Sequence, residues 1–281
     1  MTLRRFPVCI RRSHAGHGTT LGHSRRRWSA GRARDFNPAR IYLRMRSAES
    51  WSAATSAVSF RIKSVDVVAT QLTAHAEALR RLLPLLSDIE RERASQFAFE
   101  RDRRRFIVGR AVLRQLLGER LGVEPEAVEI EYGSRGKPAL ARRYEGSRLR
   151  FNLSHCDDVA VYAFACGVEI GLDVEAVHTL DDADQIAARF FSHRENEAYR
   201  ALDSHDRPLG FFHCWTRKEA FVKALGEGLH YPLDAFDVSL GPDEPARILR
   251  VGNTPGDQCP WRLHSFSPAP GVVGAVVTER L

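Results

Sequence analysis

The segment VAVYAFACGVEIGLDVE, residues 159–175, decides how the rest of the chain is read. Val159 to Cys166 is an apolar run of strand length and Gly167 is a turn residue. Val168 to Val174 is a second apolar stretch, so the segment predicts two strands paired around Gly167. The second stretch ends in Gly171-Leu172-Asp173-Val174-Glu175. Side chains alternate between the faces of a strand, which puts Asp173 and Glu175 on one side. Two carboxylates on one face repel unless a cation lies between them. Such a pair reads either as a solvated strand edge or as ligands for a hard divalent ion such as magnesium, which takes a few carboxylates together with substrate phosphates.

Just upstream, Leu149 to Leu153 predicts a short strand leading into Ser154-His155, where polar side chains and backbone N–H groups at a strand end suit a phosphate. A lone histidine is equally readable as hydrogen-bonded structure. Downstream, helices are expected over residues 182–191, 193–202 and 211–225. In the last of these Trp215, Glu219 and Lys223 fall at i, i+4 and i+8, an aromatic, an acid and an amine on one stripe. An ordinary Glu–Lys surface pair would give the same spacing. Gly226 and Gly228 close that helix, and strands are expected at 236–240, 261–266 and 272–278.

Toward the N-terminus, Phe60 to Val68 alternates apolar and polar residues like one half-buried strand. Residues 79–86 and 87–99 read as helical pieces, with Ser87 as an N-cap and Asp88 and Glu90 in the first turn. A longer helix follows over 102–121, carrying Arg103, Arg104, Arg105, Arg110 and Arg114 and ending at Gly122. Val128 to Tyr132 is a strand, and Gly133 to Pro138 is a turn-rich loop that presents Lys137. The fold class is α+β, with a strand–helix–strand–strand theme occurring twice.

A chain of 281 residues with 43% hydrophobic content can bury a core. No apolar run approaches the ~20 residues a membrane span requires. Cys9, Cys156, Cys166, Cys214 and Cys259 show neither CxxC pairs nor zinc-ligand spacing, and read as free thiols of a reducing cytoplasm. The formal charge of +7 is unevenly placed. Residues 1–50 carry twelve arginines against Asp35 and Glu49, a local net of +10 that leaves about −3 for residues 51–281. Nucleic-acid binding therefore loses its support from the body of the chain. The Arg-rich leader, residues 1–57, is expected to be disordered. It reads as a transit peptide, as a basic arm for polyanions, or as upstream sequence outside the working protein, with Met45 as a start.

Taken in order, these blocks resemble the Sfp-type, or surfactin-synthetase-activating, 4′-phosphopantetheinyl transferases. Arg93 to Arg114 is similar to the family's N-terminal helical signature and Tyr132 to Pro138 to its YGxxGKP loop. Residues 151–155 match FNxSH and residues 171–175 match GxDxE. Phe190-Phe191-Ser192 with Glu195 resembles FFSxxE, and Trp215 to Leu229 resembles WxxKEAxxKxxGxGL. The blocks span about Val65 to Leu240.

The resemblance implies two similar α+β halves, residues 58–165 and 166–281, related by pseudo-two-fold symmetry with the active site in the cleft between them. It implies Mg²⁺, with Mn²⁺ as a substitute, held by Asp173, Glu175 and Glu219 together with the pyrophosphate of coenzyme A. Lys223 and His155 would contact phosphates, with Lys137, Ser154, Arg93 and Arg105 as further contacts. The reaction implied is attack by a serine of an apo acyl, aryl or peptidyl carrier protein on the phosphorus bearing pantetheine, with release of adenosine 3′,5′-bisphosphate. Glu219 is the expected base and Lys223 its catalytic neighbour. Glu90 departs from the pattern, since some members have a basic residue there. Carriers of this class are acidic, and Arg101, Arg103, Arg104 and Arg105 are the candidates for steering them. A monomer is expected, and the rival readings are a nucleic-acid binder using the leader and a non-catalytic carrier-binding module on the same fold.

Overall fold

Twelve strands and six helices are formed by residues 57–228 and 231–280, the part of the chain that the computed structural model describes, all within one unit of contacts. The Arg-rich leader lies outside the described residues apart from Ala57, where the first strand begins. The expected single strand over 60–68 is a hairpin: β1 (Ala57–Ile62) turns back through Lys63 into β2 (Val65–Gln71). Lys63 supplies the left-handed turn conformation with φ 55°, with no glycine to announce it.

Next come α1 (Ala76–Leu82), α2 (Asp88–Ser95) and the 22-residue α3 (Glu100–Leu121). Ser87 caps α2 as expected, its hydroxyl accepting from the Glu90 N–H while Glu90 accepts from the Ser87 N–H. The small hairpin β3 (Ile130–Tyr132) and β4 (Pro138–Leu140) frames the loop that holds Lys137. Then β5 (Leu149–Cys156) and β6 (Val159–Cys166) complete an antiparallel sheet ordered β1-β2-β6-β5.

β7 (Ile170–Ala176) corrects the expectation of a strand pair around Gly167. β6 already has β2 on one edge and β5 on the other, so no edge is open to its successor. β7 instead joins a second sheet, ordered β11-β12-β7, with β11 (Trp261–Ala269) and β12 (Val272–Glu279). Between β7 and β11 lie α4 (Ala183–Phe190), α5 (His193–Ala201), α6 (Arg207–Leu225) and a three-stranded sheet of β8 (Phe236–Val238), β9 (Ile248–Val251) and β10 (Thr254–Pro255).

Both large sheets share one order: the strand before the long helix, then the last strand, then the one before it. β2-β6-β5 and β7-β12-β11 follow it alike. Alternation along the strands splits the apolar residues into two cores. Val68, Tyr162 and Phe151 pack under α3 with Ile107, Val108 and Leu113. Val67, Ala69, Val161 and Ala163 join Ile170, Leu172, Val174 and Val276, so one core runs from the first sheet to the second.

Candidate active site

β7 lies directly against α6, and Gly171 is what permits it. A Cβ at Gly171 would come within 2.0 Å of the Ala220 carbonyl oxygen and 2.2 Å of the Ala224 nitrogen. The period-2 alternation of the strand turns Ile170, Leu172 and Val174 into the core between the sheets, and Gly171, Asp173 and Glu175 to the opposite face. On that face Asp173 meets Lys223, which projects from the last turn of α6: Lys223 Nζ donates to Asp173 Oδ1 at 2.6 Å.

Ser154 completes this contact from β5. Its hydroxyl donates to Asp173 Oδ1 at 2.9 Å and accepts from the Val174 N–H at 3.4 Å, while Lys223 Nζ lies 3.4 Å away. Two residues earlier, Asn152 Oδ1 accepts the Leu172 N–H at 2.9 Å. β5 and β7 therefore run side by side in the same direction, joined by side chains where a sheet would use backbone. The FNxSH block supplies both bridges, and the role of Asn152 was missed in the sequence. Its signal was a polar residue buried within an apolar strand.

Burial and like charge shape the electrostatics. Burial, then the neighbouring Asp173, push Glu175 up to about 8, with Glu219 adding and Lys223 opposing. The same two causes push Glu219 up to about 7. Burial pulls the Lys223 ammonium down, but Asp173, Glu219 and Glu175 outweigh it and raise it overall. His155 sits on the exposed side of β5; crowding by the surrounding protein, then Lys223 and Arg105, lower its pKa, so the ring is neutral near pH 7. Arg105 reaches the β5–β6 turn, its Nε donating to Asp158 Oδ1 at 2.8 Å.

The donor set fits a hard divalent cation. Asp173 Oδ2 is buried without a hydrogen-bond partner, and two further carboxylates beside it are held partly protonated by burial and like charge. The three carboxylates are not convergent, however. Their oxygens do not all approach within 4.8 Å of one another, whereas a carboxylate oxygen of Asp203, a ring nitrogen of His205 and a carboxylate oxygen of Asp206 do so at the turn before α6.

Arg93 and Lys137, the further contacts expected for coenzyme A, each have neighbours within the protein. Arg93 lies on α2 with its guanidinium 5.5 Å from the Phe106 ring centre. Lys137 directs its ammonium to Ile170 O, Glu169 Oε2 and Ala224 O at 3.0, 3.2 and 3.4 Å. Glu90, the residue that departs from the pattern, is buried and paired with Arg114 at 2.6 Å. Its charge holds α2 to α3.

Trp215 stacks on Phe211 with ring centres 6.2 Å apart and meets Phe190 edge-on at 6.0 Å. Beside Glu219, Lys218 is fully buried. It pairs with Glu195 at 2.8 Å and donates to Leu233 O and Phe236 O at 2.6 and 2.7 Å. Glu195 also closes the capping box with Ser192 and accepts from the Val238 N–H at 2.7 Å. This buried pair, which fixes the rotation of α6, was not singled out from sequence.

Comparison with known proteins converges on one class. Residues 169–277 match the 4′-phosphopantetheinyl transferase superfamily, and residues 72–166 match the 4′-phosphopantetheinyl transferase N-terminal family. The chain belongs to the 4′-phosphopantetheinyl transferases. It is 43% identical over 198 residues to the 4′-phosphopantetheinyl transferase HetI of Nostoc sp., covering 70% of this chain and 80% of that one. It is 32% identical to the transferase psf-1 of Bacillus pumilus, over 72% of this chain and 82% of that one. It is 28% identical to the transferase Sfp of Bacillus subtilis, over 71% and 85%.

Proposed function

We propose that this enzyme moves the 4′-phosphopantetheine arm of coenzyme A onto a serine of an apo carrier protein at the Asp173–Ser154–Lys223 cluster. The observation that carries the assignment of the site is the meeting of Lys223 with Asp173 and Ser154 at the seam of the two large sheets. It gathers into one place three blocks that the chain holds 69 and 50 positions apart. The Sfp type is supported by the presence of both family segments in one chain. The pseudo-two-fold relation of residues 58–165 and 166–281 is supported by the shared strand order of the two sheets. Each long helix also has a buried cation paired with the glutamate of a capping box: Arg114 with Glu90, Lys218 with Glu195.

In this reading Asp173, Glu175 and Glu219 hold Mg²⁺, which supplies positive charge to the pyrophosphate oxygens of coenzyme A when bound. Lys223 stands where it can place an ammonium against the same oxygens, preorganised by its bond to Asp173. His155, neutral near pH 7, donates an N–H to phosphate. Ser154 fixes Asp173, and Arg105 and Arg93 serve the nucleotide from α3 and α2. The carrier serine oxygen forms a bond to the phosphorus bearing pantetheine, and the bond from that phosphorus to the oxygen of 3′,5′-ADP breaks. Glu219 accepts the serine proton. No described helix is long and apolar enough to cross a membrane. A monomer in a reducing cytoplasm accords with both family segments lying in one chain and with Cys156, Cys166, Cys214 and Cys259 forming no disulfide.

The test is release of 3′,5′-ADP from coenzyme A by the purified chain, with and without an apo carrier and with and without a chelator. Release that requires carrier and divalent ion together is expected. If Glu219→Gln keeps the wild-type rate while Asp173→Ala abolishes it, the proton is taken by another group.

A further inference from the structure

Lys137 is four-fifths buried, and an ammonium has three N–H donors. Each has an acceptor within the protein: Ile170 O, Glu169 Oε2 and Ala224 O. No donor is left over for a phosphate. The three acceptors lie on the far side of the seam, Glu169 and Ile170 at the start of β7 and Ala224 in the last turn of α6, next to Lys223. Ala224 O is among the terminal helix carbonyls that have no intrahelical partner, and a cation there faces the negative end of the helix dipole. The contact is broader than one side chain. A methyl group at Gly226 would touch Lys137 Cδ at 3.9 Å, and one at Gly228 would touch Arg135 Cβ at 3.7 Å. Glu169 is itself held by Arg150 of β5, whose Nε lies 3.0 Å from Oε1.

We infer that Lys137 is a positioning residue, a clasp from the 133–138 loop that fixes the last turn of α6 and so aims Lys223 at Asp173. This rests on the transferase reading above. It departs from the expectation that Lys137 touches coenzyme A. A displacement of about 1 Å at a reacting group can cost roughly 100-fold in rate, so loss of the clasp acts on kcat without removing a contact to substrate.

The experiment compares wild type, Lys137→Met, Lys137→Arg and Glu169→Gln with coenzyme A and with 3′-dephospho-coenzyme A, together with binding of 3′,5′-ADP. Wild-type transfer to an apo carrier is the control; its absence would count against the transferase reading and leave the clasp geometry as it is. Lys137→Met is expected to lower kcat by about 10- to 100-fold, by the same factor on both coenzymes, with the Kd of 3′,5′-ADP changed less than about threefold. Lys137→Arg restores part of the loss, because its planar fork cannot meet three divergent acceptors. Added to Lys223→Met, Lys137→Met lowers kcat little further, since it works through Lys223. Should Lys137→Met fail to fold, Glu169→Gln carries the same test, with a smaller kcat loss equal on both coenzymes. The clasp is overturned if the loss vanishes with 3′-dephospho-coenzyme A, if it appears chiefly in 3′,5′-ADP binding, or if kcat stays at the wild-type value.

Discussion

Lys223 Nζ and Asp173 Oδ1 are 2.6 Å apart across 50 residues of sequence, with the Ser154 hydroxyl bonded to the same carboxylate oxygen. One oxygen of Asp173 is thus occupied by the protein and the other is buried without a partner. Asp173→Ala is expected to lower kcat/KM for carrier modification by about 1,000-fold and Lys223→Met by about 100-fold, the range seen when one preorganised charge is removed. The double variant should lose far less than the product, because the two act as a unit. Steady-state kinetics on one apo carrier decides it, and full additivity would count against a shared role.

Glu175 ties stability to pH. Its pKa rises from an ordinary 4.5 to about 8 on folding, so between those values the folded state holds a proton the unfolded state has lost. Stability from this group is complete below pH 4.5 and disappears as pH rises through about 8. Melting temperatures of chelator-treated protein should therefore fall more steeply from pH 5 to 8.5 in wild type than in Glu175→Gln, by a few degrees. Parallel curves would remove the raised pKa.

Lys218 and Glu195 form a pair that is closed to solvent. Removing one partner leaves a buried charge without compensation, at a cost of about 3–5 kcal/mol. Lys218→Met should lower the denaturant midpoint accordingly, and combining it with Glu195→Leu should recover part of the loss. A double variant no better than Lys218→Met would show that the backbone contacts of Lys218 matter more than its charge.

Gly171→Ala places a methyl group 2.0 Å from the Ala220 carbonyl. β7 and α6 must then separate, which moves Asp173 away from Lys223. Overpacking of this kind costs about 1–3 kcal/mol or more. A loss of activity at temperatures where circular dichroism still reports a folded chain is expected; a variant with wild-type kcat would show that the seam tolerates separation.

Local chemistry made part of this legible in the sequence. The alternation of Gly171-Leu172-Asp173-Val174-Glu175, the stripe of Trp215, Glu219 and Lys223, and the Ser87 cap are each set by residues within a few positions of one another. What was not legible depends on distant chain. The β6–β7 break follows from the occupation of both β6 edges by β2 and β5, which no local pattern encodes. Nothing local sets Lys218 apart; it is buried only because Leu233 and Phe236 bring carbonyls over it. Lys137 reads as a lysine on a flexible loop until α6 ends against it, 87 residues later. Glu90 read as an oddity at a nucleotide-facing position, because its partner Arg114 lies 24 residues away on the next helix.

The most direct measurement of the central claim is the intact mass of an apo carrier protein after incubation with coenzyme A, Mg²⁺ and this enzyme, beside its Asp173→Ala variant and a serine-less carrier. One added phosphopantetheine on the apo carrier with wild type alone is the expected result. No mass gain with wild type, while another 4′-phosphopantetheinyl transferase modifies the same carrier, or an equal gain with Asp173→Ala, would contradict it.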